Sequence, residues 1–524
     1  MESVSKLFKQ RLQRVHVAVG ISISLFMYIS VFFGLFAIFL PYIKTWEKPS
    51  RHFEVADIIK IDYSKMVDSV ISNPDFPTNN IQIRLPGYWE DPALRIKHQF
   101  VKSVVFNPRT MEEIEDEGNS ELASFLNYMH YGKPFMLPGI IFFGFVAVAV
   151  MFLIIGGIIQ VMTLKYKNTA KNQQGKFSKY HRKIFIWFFA PFVIVILTGA
   201  YMNIGYKSSH LMTYLSSKGE ISNTWQAVGS VLKPKREVVK LNSQATRMMQ
   251  ISELIKKAQD VNPDIKFQVI KLINWKDSSA QFEIKGYNSN YPFLNGVYND
   301  PTVVLSGVDG SLIAHQRVLD ATWGAMFADS LYFLHLLFGV DLFVRIVIAI
   351  LMAICGVGIG FGVMLWLEKR AKKFDNNIPF YHWFSKVSLA VFLGVLPATG
   401  FIFILQYVLP FDMQDRLFWQ KGLFFVSWLA TLTWAFYRIC SYKAAREFFA
   451  LGGILFMIVP FVHLYATGFT PFELLANNMY IIFNVDLTLF LFGAILLFIS
   501  FKIPKNRDES KLIFSNNKNN QKDK

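Results

Sequence analysis

Residues 16–34, HVAVGISISLFMYISVFFG, decide the architecture of this chain, because they form a long apolar run from His16 to Gly34. The same separation of eighteen positions recurs from His181 to Gly199 and from His382 to Gly400. Eighteen residues make about five helical turns, so each histidine is predicted to share one helix face with its glycine, at opposite ends of a membrane span. An imidazole that faces other helices at membrane depth indicates a functional site. A histidine with a small residue on the same face suits a bulky, flat cofactor such as haem.

The composition predicts a multi-span membrane protein with additional mass outside the bilayer. The 524 residues are 53% hydrophobic, with a mean hydropathy of +0.32. The fold class is therefore predicted to be a mainly α membrane protein with about eight transmembrane helices. The first apolar stretch is long and lacks a small-residue cleavage site, so it is interpreted as an uncleaved anchor. Stretches long enough to cross about 30 Å of hydrocarbon lie near residues 17–40, 137–163, 184–204, 346–367, 385–409, 418–437, 449–467 and 479–501.

The net charge of +17 follows the positive-inside pattern and does not indicate a nucleic-acid partner. Basic clusters precede the first span, join the second to the third, and follow the fourth, sixth and eighth. They all lie on one side of the membrane if the N-terminus is cytoplasmic, and eight spans return the C-terminus to that side. We therefore expect membrane lipid around the chain and both termini in the cytoplasm. Only two cysteines are present, and no Cys-x-x-Cys-His motif occurs, which excludes covalently attached c-type haem.

Two long segments between the spans are predicted to form α+β loop domains. Each reads as a helix followed by strands, with turn signals between them. Helices are expected at 55–72 and 251–260, and strands at 81–85, 94–98, 102–106, 265–273, 280–287, 302–306 and 312–316. The predicted division is a first transmembrane helix at 1–41, a loop domain at 42–136, the second and third transmembrane helices at 137–204, a loop domain at 205–345, transmembrane helices four to eight at 346–503, and a disordered cytoplasmic tail at 504–524.

A repeated unit emerges from this order: histidine, span, α+β loop, histidine, span, basic end. It occurs at 16–167 and 181–373, and its second histidines are His130 in FLNYMH and His335 in LYFLH. Internal repetition on this scale is common in membrane proteins. A third unit at 382–446 has a short loop, and Trp419 replaces the histidine at the matching approach to its second span.

The predicted topology places His16 and His181 near the cytoplasmic face, and His130 and His335 near the outer face. Each pair can hold the iron of one haem b through two imidazoles. Two axial histidines leave no open position for oxygen chemistry, which favours electron transfer. Two such haems in series would carry electrons across the bilayer. Cationic partners for the haem propionates are predicted near each face: Arg14, Lys179 and Arg182 at the inner one, Lys133 and Arg345 at the outer one.

Other candidates leave alternatives open. His382, which lacks an obvious partner, and His463 are candidates for further ligands or relay groups, and the alternative for His463 is a hydrogen bond to a backbone carbonyl. The histidines of the loop segments (His52, His98, His210 and His315) are expected at the surface. The sequence GVGIGFG at 356–362 looks like a nucleotide-binding loop but lies in an apolar helix, so close helix packing is the better interpretation. Asp341 and Arg345 flank the fourth span and are expected to pair structurally.

These motifs resemble the PepSY-associated transmembrane family. RVHVAVG at 14–20 resembles the first-span signature, YHR at 180–182 with Thr198–Gly199 resembles the third-span pattern, and the histidine entries at 125–132 and 333–339 resemble those of the even spans. Residues 251–316 resemble a PepSY domain, and the likeness covers about residues 5–373. The family is similar to bacterial inner-membrane di-haem reductases of ferric siderophores, with PepSY loops in the periplasm. The resemblance implies that His16, His130, His181 and His335 are axial haem ligands.

The resulting hypothesis is a haem-dependent oxidoreductase of the ferric reductase type in the bacterial cytoplasmic membrane. Electrons would enter at the inner haem from a quinol or a cytosolic reductase and would reduce a ferric siderophore or other ferric chelate at the outer one. The chain departs from the family in lacking Arg-Trp after His16 and in having four additional spans. Two alternatives remain: a membrane scaffold whose PepSY loops bind or inhibit a periplasmic peptidase, and a transporter of iron, haem or siderophore.

Overall fold

The computed structural model describes residues 2–98, 101–115, 117–163, 172–205, 213–221, 232, 238–337 and 339–515. Within them the protein is mainly helical and contains one β-sheet. The α-helices are α1 Glu2–Ile38, α2 Leu40–Trp46, α3 Tyr63–Ile71, α4 Leu122–His130, α5 Met136–Thr163, α6 Gln173–Trp187, α7 Phe189–Ala200, α8 Ile251–Val261, α9 Trp323–Leu336, α10 Leu342–Ala371, α11 Trp383–Leu389, α12 Val395–Val408, α13 Arg416–Tyr437, α14 Ser441–Thr467, α15 Pro471–Ala476, α16 Tyr480–Lys502 and α17 Arg507–Ser515. Short 3-10 helices lie at Pro49–Arg51, Tyr88–Glu90, Lys133–Phe135 and Val318–Asp320, and π-helical turns at Tyr201–Gly205 and Ala390–Gly394.

Six helical segments in the described residues are long and apolar enough to cross a membrane: those of α1, α5, α10, α11 with α12, α14 and α16. The bent pair α6 and α7 makes a seventh if it is one span. The sixth predicted span, 418–437, corresponds to α13, which is helical over 22 residues but is not among these segments. The protein is therefore a multi-pass membrane protein, and the count of eight stays a prediction.

A bend of 74° separates α6 from α7. Pro191 explains its position, because proline has no N–H to donate to the carbonyl of Trp187, the last residue of α6. The prediction that His181 and Gly199 share the face of one helix is therefore wrong. In the third unit, the π-helical turn Ala390–Gly394 lies between His382 and Gly400, but the span Trp383–Val408 is continuous across it.

The two loop segments contribute to one antiparallel sheet. Its strands are β1 Asn80–Arg84, β2 Leu94–His98, β3 Val101–Phe106, β4 Ile265–Ile273, β5 Gln281–Asn288, β6 Thr302–Ser306 and β7 Leu312–Gln316, in the order β3-β2-β1-β4-β5-β6-β7. The prediction treated the two segments as separate domains, but β1 of the first pairs with β4 of the second, with Gln82 opposite Lys271. Helices α3 and α8 cover the sheet with a shared apolar core that includes Met66, Leu254 and Ile270. The two repeats thus meet head to head at the β1–β4 pair.

The spans of the two repeats form a four-part group below the sheet. Helix α1 packs against α5 and α10, and α10 packs against α6. Met27, Val150, Phe192, Ile196 and Cys355 form the apolar core of this group. The remaining helices pack beside it, with α14 against α12 and α16 and with α16 against α2. The repeated spans and the additional helices therefore form neighbouring groups, which meet where Phe33 of α1 contacts Phe424 of α13.

Candidate functional site

The structure brings the four predicted histidines together in two pairs. The ring centres of His16 and His181 are 6.5 Å apart, and those of His130 and His335 are 6.0 Å apart. A metal–imidazole bond is about 2.0–2.1 Å long, so two imidazoles on opposite sides of one metal have ring centres roughly 6 Å apart. Both pairs therefore have the separation that a shared metal requires.

Each pair takes one histidine from each repeat. His16 lies in α1 and His181 in α6, whereas His130 ends α4 and His335 lies in the last turn of α9. Corresponding positions of the two repeats meet because the repeats pack against each other, through the β1–β4 pair in the sheet and through α1 and α10 among the spans.

Three of the four rings are oriented through Nδ1. His130 donates from Nδ1 to the carbonyl of Ser30 at 2.7 Å, and His181 donates to that of Gly358 at 2.9 Å. Nδ1 of His335 lies 3.1 Å from the Thr198 hydroxyl. Nδ1 of His16 is buried and has no hydrogen-bond partner among the described residues. Metal-binding histidines generally anchor their second nitrogen on a carbonyl or carboxylate, which leaves Nε2 for the metal.

Glycines make room for the outer pair. A Cβ on Gly34 would lie 3.0 Å from His130 Nδ1, and a Cβ on Gly199 would lie 3.1 Å from His335 Cε1. Both distances are shorter than ordinary van der Waals contact. The glycine that ends each repeated motif therefore adjoins the outer histidine of the next element, and this contact explains why a small residue stands there.

Glycines of the even spans adjoin the inner pair. A Cβ on Gly362 would lie 3.2 Å from the His181 ring, and one on Gly157 would lie 3.7 Å from His16 Cε1. Gly358 supplies the carbonyl that His181 binds, so GVGIGFG packs closely in a helix, as predicted, and also positions a ring. This second role of the glycines was not predicted from the sequence. Gly358 and Gly362, four residues apart on one helix face, were the sequence signal that could have indicated it.

A cavity of about 1300 Å³ adjoins the outer pair. His130, His335, Gly34 and Gly199 line it, and it reaches Met352 in the membrane half. Ligand pockets commonly enclose roughly 300–1,000 Å³, so this cavity can hold a cofactor of porphyrin size and further ligand volume. The residues present therefore fit a haem at the outer pair.

Burial keeps the outer imidazoles neutral. It lowers the pKa of His130, and burial together with the nearby His130 lowers the pKa of His335 to about 3. Neutral imidazole is the form that binds a metal.

The cations predicted beside the haems have different roles. Lys133 lines the cavity, with its amine 3.7 Å from the centre of the Tyr128 ring. Arg345 also lines it but donates to the carbonyls of Ile38, Leu337 and Val340, so its predicted pairing with Asp341 is wrong. Asp341 instead accepts the Val344 amide at 3.0 Å. Lys133 is therefore the better candidate for an outer propionate.

The inner cations are less engaged with the histidine pair. Arg182 donates to the Ser178 hydroxyl at 2.7 Å, and Arg14 is exposed. Lys179 is partly exposed. Their pairing with inner propionates stays a prediction.

His382 caps a helix. Its Nδ1 accepts the Phe384 amide at 3.2 Å, and its ring lies between Phe380 and Trp366. Gly400 faces Leu455 and Phe456 rather than a histidine. The third histidine–glycine motif therefore lacks the arrangement of the first two.

His463 belongs to a buried polar cluster that the sequence analysis missed. Its Nδ1 lies 2.7 Å from Asp486 Oδ2, and Asp486 Oδ1 accepts the Trp46 indole N–H at 2.9 Å. The His52 ring lies 5.1 Å from that of His463. No group of three or more His, Cys, Asp or Glu side chains in the described part of the chain is placed to hold a metal ion. Ionisable residues in two different spans, at 463 and 486, were the available signal.

The loop histidines divide into two kinds. His52 and His98 are buried, so their predicted surface position is wrong; His98 lies 3.1 Å from Asn79 Oδ1. His315 is exposed, as predicted, and His210 lies outside the described residues.

The comparison with known proteins agrees with the repeated architecture. No curated protein matches the chain. The family model described as the PepSY-associated TM region matches residues 13–369, which is more than half of the chain and includes all four paired histidines. The chain therefore belongs to the PepSY-associated TM region family.

Proposed function

We propose that this protein binds two b-type haems, one on each histidine pair, and conducts electrons between the two faces of the membrane to reduce a ferric chelate on the side of the sheet. The observation that carries the proposal is the pairing of His16 with His181 and of His130 with His335 at separations of 6.5 and 6.0 Å. The glycines beside the rings and the anchored Nδ1 atoms support it.

The chain's own residues would orient and insulate the cofactors. His130 and His335 would hold the iron through Nε2, because Nδ1 of each is engaged with Ser30 or Thr198. Gly34 and Gly199 allow the rings to sit against the helices, and the Lys133 amine can neutralise a carboxylate at the cavity rim. Bound haem supplies one-electron chemistry at its iron.

The setting we propose is the bacterial cytoplasmic membrane, with the sheet outside. A quinol or a cytosolic reductase would donate electrons at the inner pair. A ferric siderophore is the proposed acceptor, since reduction weakens the hold of hard oxygen ligands on iron. The protein would then act as a ferric-reductase-type oxidoreductase.

The test is the haem stoichiometry of the purified protein, measured as the pyridine haemochromogen. We expect two haems per chain, and one fewer in each of His16→Ala, His130→Ala, His181→Ala and His335→Ala. His315→Ala is the matched control, because His315 is exposed and bonded only to Asn262 among the described residues. A colourless wild type, or unchanged content in the four variants, would contradict the proposal.

The acceptor is tested separately. Protein reduced with dithionite and freed of excess reductant should be reoxidised by a ferric chelate under anaerobic conditions, with ferrous iron appearing in step. Reoxidation by oxygen but not by ferric chelates would leave the haem assignment standing and refute the ferric acceptor.

A further inference from the structure

The cavity beside the outer histidine pair extends to the sheet, and that half has its own chemistry. Lys266 and Gln268 of β4, with Tyr287 of β5, line it on the sheet side. The loop at 87–90 forms another part of the wall. The histidine half is bounded by spans, whereas this half is bounded by both repeats of the sheet domain.

The wall loop has a strained backbone. Trp89 and Glu90 have φ angles of 56° and 61°, in the left-handed region that residues other than glycine rarely adopt. Backbone strain of this kind is concentrated at ligand-binding and active sites. The loop is held by hydrogen bonds from the Thr45 hydroxyl to the Glu90 carbonyl at 2.8 Å and from the Gly87 amide to the Asp91 carbonyl at 2.7 Å. Trp89 is thereby fixed in the cavity wall with 37% of its surface exposed.

The charged side chains in this part of the cavity are unevenly neutralised. Lys266 is exposed, and in the described part of the chain neither it nor Lys133 has an acidic oxygen within ion-pair distance. Of the acids lining the cavity, Asp341 caps α10, and Glu90 is a half-buried carboxyl whose pKa is raised by burial, against the opposing charges of Lys266 and Arg345. Three cations, Lys133, Lys266 and Arg345, line the cavity against two acids, Asp341 and Glu90, and such an excess of positive charge attracts anions.

We propose that the sheet-side half of the cavity binds an anionic ferric chelate, with Lys266 as the charge-recognition residue and Trp89 as an aromatic wall. This inference rests on the proposed function and adds to it the charge of the chelate and the residue that reads it. A chelate bound there would lie in the same cavity as His130 and His335, so no further electron carrier is needed between the outer haem and the acceptor.

The experiment measures binding without electron transfer. Gallium(III) forms chelates of the same shape as iron(III) but is not reduced, so calorimetric titration of the purified, full-length protein reports binding alone. The probes are the trianionic gallium tris(catecholate) and the cationic gallium desferrioxamine B. We expect the anionic complex to bind and Lys266→Glu to weaken it about tenfold, with a smaller loss in Lys266→Gln.

Lys271→Glu is the matched control, because Lys271 lies on the same strand but does not line the cavity. It should leave the affinity within about twofold. Tighter binding of the cationic complex, equal losses in Lys266→Glu and Lys271→Glu, or no binding of the anionic complex would each overturn the inference. Haem content measured on the same samples shows separately whether the proposed function or folding has failed.

Discussion

Gly34→Ala should weaken the outer haem site while leaving the inner one intact. The added Cβ would lie 3.0 Å from His130 Nδ1 and 3.1 Å from its Cε1, where ordinary contact begins at 3.4 Å. His130 must therefore move by a few tenths of an ångström. That shift strains the 2.7 Å hydrogen bond that holds Nδ1 on the Ser30 carbonyl.

The size of the effect follows from the contacts that are lost. A buried hydrogen bond contributes about 0.5–1.5 kcal/mol, and changes to groups that orient a metal-bound histidine cost about 10–100-fold in metal affinity. We therefore expect the outer haem to bind roughly 10–100-fold more weakly. Alanine also has a helix propensity about 1 kcal/mol better than glycine, so the fold itself should not be weakened by the backbone change.

The assay is haem stoichiometry combined with a redox titration that resolves two components. Gly20→Ala is the control on the same helix, since its Cβ would meet only Leu153 Cδ1 at 3.8 Å. Gly34→Ala should lose one component, and Gly20→Ala should keep both. Equal behaviour of the two variants, or loss of the inner component in Gly34→Ala, would refute the role of this glycine.

Two further predictions concern groups outside the histidine pairs. Burial raises the pKa of Glu47 to about 7, so the folded state binds a proton more tightly than the unfolded state. The free energy of unfolding should therefore fall by roughly 2–3 kcal/mol as the pH rises from about 5 to 8. Glu47→Gln should remove this dependence in thermal unfolding measured across that range. A wild type that grows more stable over the same range, with the same slope in Glu47→Gln, would contradict the assignment. His382→Ala should lower the free energy of unfolding by about 1 kcal/mol, because it removes a helix cap, and should leave two haems per chain. His382→Asn should restore the stability. Haem loss in His382→Ala would show that the third motif binds a cofactor.

The sequence predicted the local elements of the sheet domain closely, because alternation and turn residues are local signals. The strands predicted at 265–273, 302–306 and 312–316 have the observed bounds. The joining of both segments in one sheet was not predicted. It depends on pairing between β1 and β4, which are about 190 residues apart, and no local pattern encodes such a contact.

The histidine pairs were predictable because the chain contains two similar units that can be compared with each other. Two units with the same order implied that corresponding histidines meet, and the distances agree with that prediction. His52 was misplaced for the opposite reason. Its ring packs against that of His463 in α14, a contact between a loop segment and an additional span, and nothing near residue 52 indicates it.

The position of the glycines explains why the histidine–glycine motif adjoins a second histidine in the first two units and not in the third. A histidine–glycine span is useful only when a second histidine from the following approach helix docks against the glycine, as His130 does at Gly34 and His335 does at Gly199. In the third unit Trp419 stands where that histidine would be, so Gly400 accommodates Leu455 and Phe456 and His382 is left to cap a helix. The spacing of eighteen is therefore a helix-packing pattern, and the cofactor site that we propose forms only where the second histidine is present.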